Sequence, residues 1–336
     1  MMKALLLSDK NQALEVREVT KPVPDLPEAI VKIYTAALNH RDLWIQKGQY
    51  AGLKYPIILG SDGAGVVHST GHLQHNSWIG KEVIINPSLN WGNLQEHQDS
   101  ANFKILGMPE NGTFAEYVKV PVTSLFEKPH HLTIEEAAAL PLTGLTAYRG
   151  LFRRANLKQG EKILITGIGG GVALFALQFA VSAKAHVFVS SGSPEKIRKA
   201  IELGAEGGVN YQDRDWSDQL LKNSGPFDVI IDGAAGPGTG ELLNLAAPGG
   251  RILFYGATKG NAPNLEMRRI FWKQLNIMGS TMGSPDDFQS MIDFVNQHSI
   301  KPVIDQVFPF QDGANALARM DEGKQFGKIL IRINDP

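Results

Sequence analysis

The run Gly167-Ile168-Gly169-Gly170-Gly171-Val172-Ala173 lies directly between an apolar strand at 162–166 (KILIT) and an apolar helical stretch that begins near Gly171. No other feature constrains the fold as tightly. Glycine permits the tight turn and lets backbone N–H groups approach an anion, while the helix start adds unpaired donors and partial positive charge. The rhythm downstream agrees. Residues 186–190 (HVFVS) read as a second strand, and Ser193 as the N-cap of a helix with Pro194 in its first position. Strands at 208–210, 227–232 and 251–255 then alternate with helices near 217–222 and 239–247. Buried strands alternating with helices of about 10–15 residues predict a parallel sheet covered on both faces.

The flanks read differently. Up to about residue 120, short apolar strands at 30–33, 64–67 and 82–85 are punctuated by Pro22, Pro24, Pro27, Gly60, Gly63 and Gly65. In the tail, Phe288, Met291, Ile292 and Val295 form one helical face, and 328–333 (KILIRI) alternates like a strand. The expected fold class is α/β. A Rossmann-type doubly wound parallel sheet at 125–264 is inserted in a β-rich domain made of 1–124 and 265–336. A length of 336 residues suits two such domains.

Composition removes whole classes of function. The 33 Lys+Arg against 34 Asp+Glu leave no basic excess to capture nucleic acid or an anionic membrane. There is no cysteine, so disulfides, thiolate metal sites and a cysteine nucleophile are excluded. The nine histidines form no evident ligand set, and G-x-S-x-G and H-E-x-x-H are absent. The N-terminus lacks a signal-peptide pattern, and the most apolar stretch, 172–183, falls short of the ~20 residues that span a bilayer. A cytoplasmic protein with no membrane partner is expected.

The glycine turn predicts a nicotinamide dinucleotide, with Gly167, Gly169, Gly170, Gly171 and Val172 against its pyrophosphate. At the end of the second strand, where NAD sites usually carry an acidic residue, stand Ser190, Ser191 and Ser193, followed by Lys196. Hydroxyls with a nearby cation suit a 2′-phosphate, so the expected cofactor is NADP(H).

Four segments carry a resemblance over essentially the full length: Ala37-Leu38-Asn39-His40-Arg41-Asp42, Leu59-Gly60-Ser61-Asp62-Gly63-Ala64-Gly65-Val66-Val67, the stretch 137–147 (AAALPLTGLTA), and the glycine turn. The chain resembles the medium-chain dehydrogenase/reductase superfamily, and within it the zinc-independent quinone oxidoreductase and enoyl-reductase branch. The resemblance implies a GroES-like β-rich catalytic domain around the Rossmann domain. It departs from the zinc alcohol dehydrogenases of that superfamily. Asn39 stands where they carry a zinc-binding Cys, Ser61-Asp62 where they carry His-Glu, and the lobe 86–107 lacks the four Cys of their structural zinc. No metal is therefore expected.

By resemblance, Tyr50 matches a catalytic Tyr, and Asn39 and Asp42 match an Asn-x-x-Asp pair. Asn39 would polarise a carbonyl or orient the nicotinamide. Thr143 and Thr146 match the segment at the nicotinamide end, Gly256, Ala257 and Thr258 a loop closing over it, and Thr281 a cofactor-adjacent turn. The expected activity is NADPH-dependent reduction of a small-molecule quinone or α,β-unsaturated carbonyl. Zinc-free carbonyl reduction and a non-enzymatic NADPH-binding sensor are the alternatives. A homodimer through the strand at 275–279 is expected.

Overall fold

The computed structural model describes residues 1–335 and separates the chain into two compact units. One comprises Met1–Leu145 with the chain from Gly283 onward, the other Thr146–Met282. These limits lie later than the sequence boundaries at 124/125 and 264/265. Helix Ile134–Ala138 packs on the strands Glu28–Ala37 and Asp62–Thr70, which ties 125–145 to the β-rich unit. Strand Asn276–Gly279 pairs with Ala246–Phe254, which carries the second boundary past 265.

The second unit is a six-stranded sheet in the order Gly207–Asn210, His186–Ser191, Lys162–Ile165, Phe227–Asp232, Ala246–Phe254, Asn276–Gly279. Every neighbouring pair is parallel. Chain order therefore reverses direction between Lys162–Ile165 and Phe227–Asp232, and the carboxyl ends at such a switch point form the ligand crevice of doubly wound sheets. Ile163, Leu164 and Ile165 are buried on both faces, as a central parallel strand requires. Helix Gly171–Ser182 is apolar on nearly every side and buries seven of its residues, whereas Pro194–Glu202 buries only Ala200. Ser193 caps the latter helix, accepting the N–H of Lys196, with Pro194 in the first turn.

The β-rich unit is built on a mostly antiparallel sheet. Its order is Leu125–Glu127, Glu82–Ile85, Asp62–Thr70, Glu28–Ala37, Lys328–Arg332, Ile304–Pro309, with Tyr117–Pro121 also paired to Glu28–Ala37. A smaller sheet joins Glu15–Val19, Met2–Leu7 and Ile57–Ile58. The C-terminal strand Lys328–Arg332 is inserted next to the sheet edge, antiparallel to Glu28–Ala37 and parallel to the edge strand Ile304–Pro309. The core includes Leu5, Ile33, Ile45, Phe114, Leu317 and Ile331, so both ends of the chain complete one hydrophobic cluster.

The polar lobe 86–107 holds together without cysteine. Trp91 is buried, stacks edge-on with Phe103 and donates its indole N–H to Leu94 O. Gln95 reaches out of the lobe to Asp286 and Ser284, at the start of helix Pro285–His298. Among the described residues, no helix is long and apolar enough to cross a membrane.

Candidate active site

In the β-rich unit, the polar residues of the first two sequence motifs converge below the short helix His40–Gln46. Asn39 precedes this helix, and its backbone N–H donates to Asp42 Oδ2 at 2.8 Å. Asp42 is fully buried and also accepts the Gly60 N–H, at 3.3 Å. Burial pushes its pKa up to about 6, opposed by the Arg41 charge, the two backbone donors and Lys328. Asp42 thus holds the Asn39 turn to the Gly60 loop.

The Asn39 side chain is bound differently. Its Nδ2 donates to Asp62 Oδ2 at 3.0 Å, and its Oδ1 accepts from Lys328 Nζ at 2.8 Å. The same ammonium donates to Asp62 Oδ2 at 2.9 Å and to Leu38 O at 2.7 Å. Asp62 Oδ1 accepts the N–H of Leu142, at 2.8 Å. Lys328 and Asp62 are 3% and 0% exposed, so this ion pair lies inside the protein with every polar atom partnered. Removing one partner of such a pair typically costs about 3–5 kcal/mol, because it strands a buried charge.

Sequence reading missed Lys328. Lys328, Leu330 and Arg332 alternate with three isoleucines and so look like a solvent-facing row, but Leu330 is fully buried. Both faces of this interior strand are covered, since Ile329, Leu330 and Ile331 are all buried, and that carries Lys328 inward.

Arg41 forms a second buried hub. Its Nη1 donates to Ser61 Oγ at 2.7 Å and Leu106 O at 2.8 Å, its Nη2 to Met108 O at 3.4 Å, and Ser61 Oγ donates to Leu106 O. Its Nε lies 3.4 Å from the Tyr50 hydroxyl, and the guanidinium sits 5.1 Å from the Tyr50 ring centre. Tyr50 is half-buried, and its hydroxyl oxygen accepts from a cation, so the phenolic proton can be offered elsewhere. His40 exposes one edge, yet burial, and then the Lys328 charge, lower its pKa; its neutral form prevails at pH 7.

These residues do not fit zinc. The positions of the two missing ligands hold the Asn39 amide and the Ser61 hydroxyl, and the Asp62 carboxylate is already paired with an ammonium. Among the described residues, no group of three or more His, Cys, Asp or Glu is disposed to hold a metal ion.

The residues of the parallel-sheet unit do fit a dinucleotide. Gly167 and Gly169 take φ of +63° and +123°, conformations that L side chains rarely adopt. Gly170 caps helix Gly171–Ser182 with no side chain over the first-turn N–H groups of Gly171, Val172 and Ala173. Beside them, the carboxylate of Asp232 at the end of its strand accepts the Thr166 hydroxyl and the N–H groups of Ala234 and Ala235. Burial and the Asp232 charge raise the pKa of Tyr255, whose ring leaves no room for a side chain at Gly233. Asp232 and Tyr255 were missed because an apolar strand ending in Asp has no motif of its own.

At the second strand the three serines divide. Ser190 and Ser191 are buried, and Ser191 Oγ is engaged with Ile168 O at 3.5 Å and the Ser193 N–H at 3.2 Å. These contacts brace the glycine turn, which leaves the half-buried Ser193 and Lys196 as the more accessible pair. A Cβ on Gly169 would lie 2.8 Å from Lys196 Cδ, so the lysine stem arches over the turn. Tyr211 and Gln212, also missed, crowd Gly192: a Cβ there would lie 3.0 Å from the Tyr211 hydroxyl and 2.9 Å from Gln212 Nε2.

Thr143 and Thr146 are buried on helix Pro141–Tyr148, and the Thr143 hydroxyl donates to Ala139 O at 3.3 Å. Ala257 and Thr258 are exposed and Gly256 half-buried, with Thr258 tied to Gly233 O through its N–H and hydroxyl. Thr281 is exposed just past the last parallel strand.

Two family models match. Residues 25–130 fit an alcohol dehydrogenase GroES-like domain, and 171–297 a zinc-binding dehydrogenase. A zinc-type alcohol dehydrogenase-like protein of Leptosphaeria maculans is 38% identical over 339 residues, covering 95% of this chain and 94% of its own. The acryloyl-coenzyme A reductase of Sulfurisphaera tokodaii is 30% identical, covering 98% and 100%. A crystal structure of an NAD-dependent alcohol dehydrogenase superposes with a TM-score of 0.92 at 34% identity, covering 99% of this chain and all of the other.

Proposed function

From the premise that the chain belongs to the medium-chain dehydrogenase/reductase superfamily and is an oxidoreductase, we propose that it is a zinc-independent, NADPH-dependent reductase of quinones or α,β-unsaturated carbonyls. The observation that carries this reading is the Lys328–Asp62–Asn39 cluster. Where zinc-holding members of the superfamily polarise a carbonyl with a metal, this chain has an amide held by a buried ion pair.

A bound NADPH supplies the hydride. The first-turn N–H groups at Gly171–Ala173 would hold its pyrophosphate, and Ser193, Lys196 and Tyr211 would take the 2′-phosphate. Asn39 donates to the carbonyl oxygen, which gains negative charge as hydride reaches the β-carbon of an enone. Tyr50, with its oxygen facing Arg41, delivers the proton that completes reduction. Asp42 and Asp62 hold the turn and the amide. The acryloyl-coenzyme A reductase relative supports reduction of an activated C=C bond.

A second reading, hydride delivery to the carbonyl carbon itself, is favoured by the similarity to an NAD-dependent alcohol dehydrogenase. Oxidation of NADPH and NADH by the chelator-treated protein, against quinones, enones, enoyl thioesters and aldehydes, separates the two. Turnover of NADPH on quinones, giving hydroquinones, or on enones, giving saturated ketones, is expected. Turnover confined to aldehydes moves the assignment to the second reading.

We also propose a homodimer, formed through the open edge of the parallel sheet. Strand Asn276–Gly279 has one pairing partner and leaves Ile277 exposed, and the neighbouring helix Met267–Trp272 exposes Phe271 and Trp272.

A further inference from the structure

We propose that Lys328 is a positioning residue: its buried ammonium fixes which end of the Asn39 amide is available to a substrate oxygen. The proposal rests on the reading of Asn39 as the donor to the carbonyl, and it adds the device that makes this donor reliable.

An amide can be turned end for end with almost no change in shape, so something must choose between its oxygen and its nitrogen. Here two charges of opposite sign choose. An ammonium can only donate and an ionised carboxylate can only accept. The Asn39 atom 2.8 Å from Lys328 Nζ is therefore the oxygen, and the atom 3.0 Å from Asp62 Oδ2 is the NH2 group. The reversed amide would set N–H against ammonium and oxygen against carboxylate, two repulsive contacts in a buried site. One Asn39 N–H is held by Asp62, and the other has no partner among the described residues.

Lys328 itself is not a proton donor to substrate, because its three N–H groups are directed at Leu38 O, Asn39 Oδ1 and Asp62 Oδ2. The pair also reaches a second element. Asp62 Oδ1 accepts the Leu142 N–H, one residue before Thr143. Lys328 sits on a strand paired on both sides, so its Cα has little freedom to follow a displaced amide. The other ionisable groups beside the cluster are Asp42, Arg41 and His40.

The test uses protein labelled with 15N at asparagine, in which the Asn39 side-chain resonances are identified by their loss in Asn39→Ser. In the wild type, two well-separated proton signals are expected, one of them protected from solvent exchange by Asp62. Rapid exchange of both protons overturns the proposal. Lys328→Met alone strands the Asp62 charge and is expected to unfold easily, so the decisive variant is Lys328→Met with Asp62→Asn, which removes both charges. In that variant the Asn39 proton held by Asp62 in the wild type is expected to lose its protection from solvent exchange. Its kcat on an enone should fall on the order of a hundredfold, as when one oxyanion donor is lost, with KM for NADPH unchanged. Wild-type signals, or a wild-type kcat, in the double variant refute the positioning role. A wild type that turns over no enone or quinone refutes the reductase reading alone, since the resonances report on Lys328 in either case.

Discussion

Asp42 places a pH-dependent free energy at one residue. Its folded pKa of about 6 exceeds the ordinary carboxylate value, so the native state binds this proton more tightly than the unfolded chain does. The stabilisation is fully present below the unfolded pKa near 4 and is lost as pH rises through 6. Asp42→Asn removes the titration and keeps a side chain of the same shape. Relative to the variant, the wild type should lose about 2 kcal/mol of stability between pH 4.5 and pH 7.5, read from urea unfolding of both proteins. A constant difference across that range would show that Asp42 does not titrate there. At this scale the sequence named Asn39, Asp42 and Tyr50 but not Lys328 or Arg41. Lys328 lies in no motif, and although Arg41 lies in the same motif as Asn39 and Asp42, both owe their roles to long-range contacts: Lys328 lies 289 residues from Asn39, and Arg41 lies 65 from Leu106.

Among the elements, the glycine turn was the most legible. Its strand, its helix start and the Ser193 cap form where local pattern puts them, because each depends on neighbours within a few residues. Gly169 has a φ of +123°, which an L side chain rarely adopts, and a Cβ there would push aside the Lys196 stem. Gly169→Ala is expected to raise the dissociation constant for NADPH at least tenfold, about 1.4 kcal/mol, measured by fluorescence titration. Its melting temperature should fall as well, because an alanine at that φ is strained, so the affinity loss is read at a temperature where both proteins are folded. A large loss of stability with unchanged affinity would assign the glycine to folding instead. The serines were legible as a cluster and illegible as individuals. Strand position buries Ser190 and Ser191 and leaves Ser193 at a helix cap, a distinction that follows from register in the sheet.

For the molecule as a whole, the open sheet edge has the most direct consequence. An edge strand paired on one side only, with Ile277 on it 40% exposed and Trp272 before it 83% exposed, is a surface that a second copy can cover. Light scattering should give twice the 36.6 kDa chain mass. Ile277→Arg should shift the population toward the chain mass, and a wild type that is already monomeric removes the proposal. The sequence by itself determined the two-part α/β architecture, the nucleotide turn and the absence of a cysteine-based metal site. Each of these follows from residue type and short-range periodicity, which act before distant segments meet. Tertiary structure alone decided where the units divide, since helix Ile134–Ala138 and strand Asn276–Gly279 join whichever sheet offers them a partner. It alone also built the cluster around Asn39. Asn39, Asp62, Leu142 and Lys328 come from four separate segments, and only a sheet that seats the last strand between Glu28–Ala37 and Ile304–Pro309 brings an ammonium, a carboxylate and an amide within 3.0 Å of one another. Buried charge is tolerated only where its partner is already fixed, so this arrangement is a property of the assembled core rather than of any one segment.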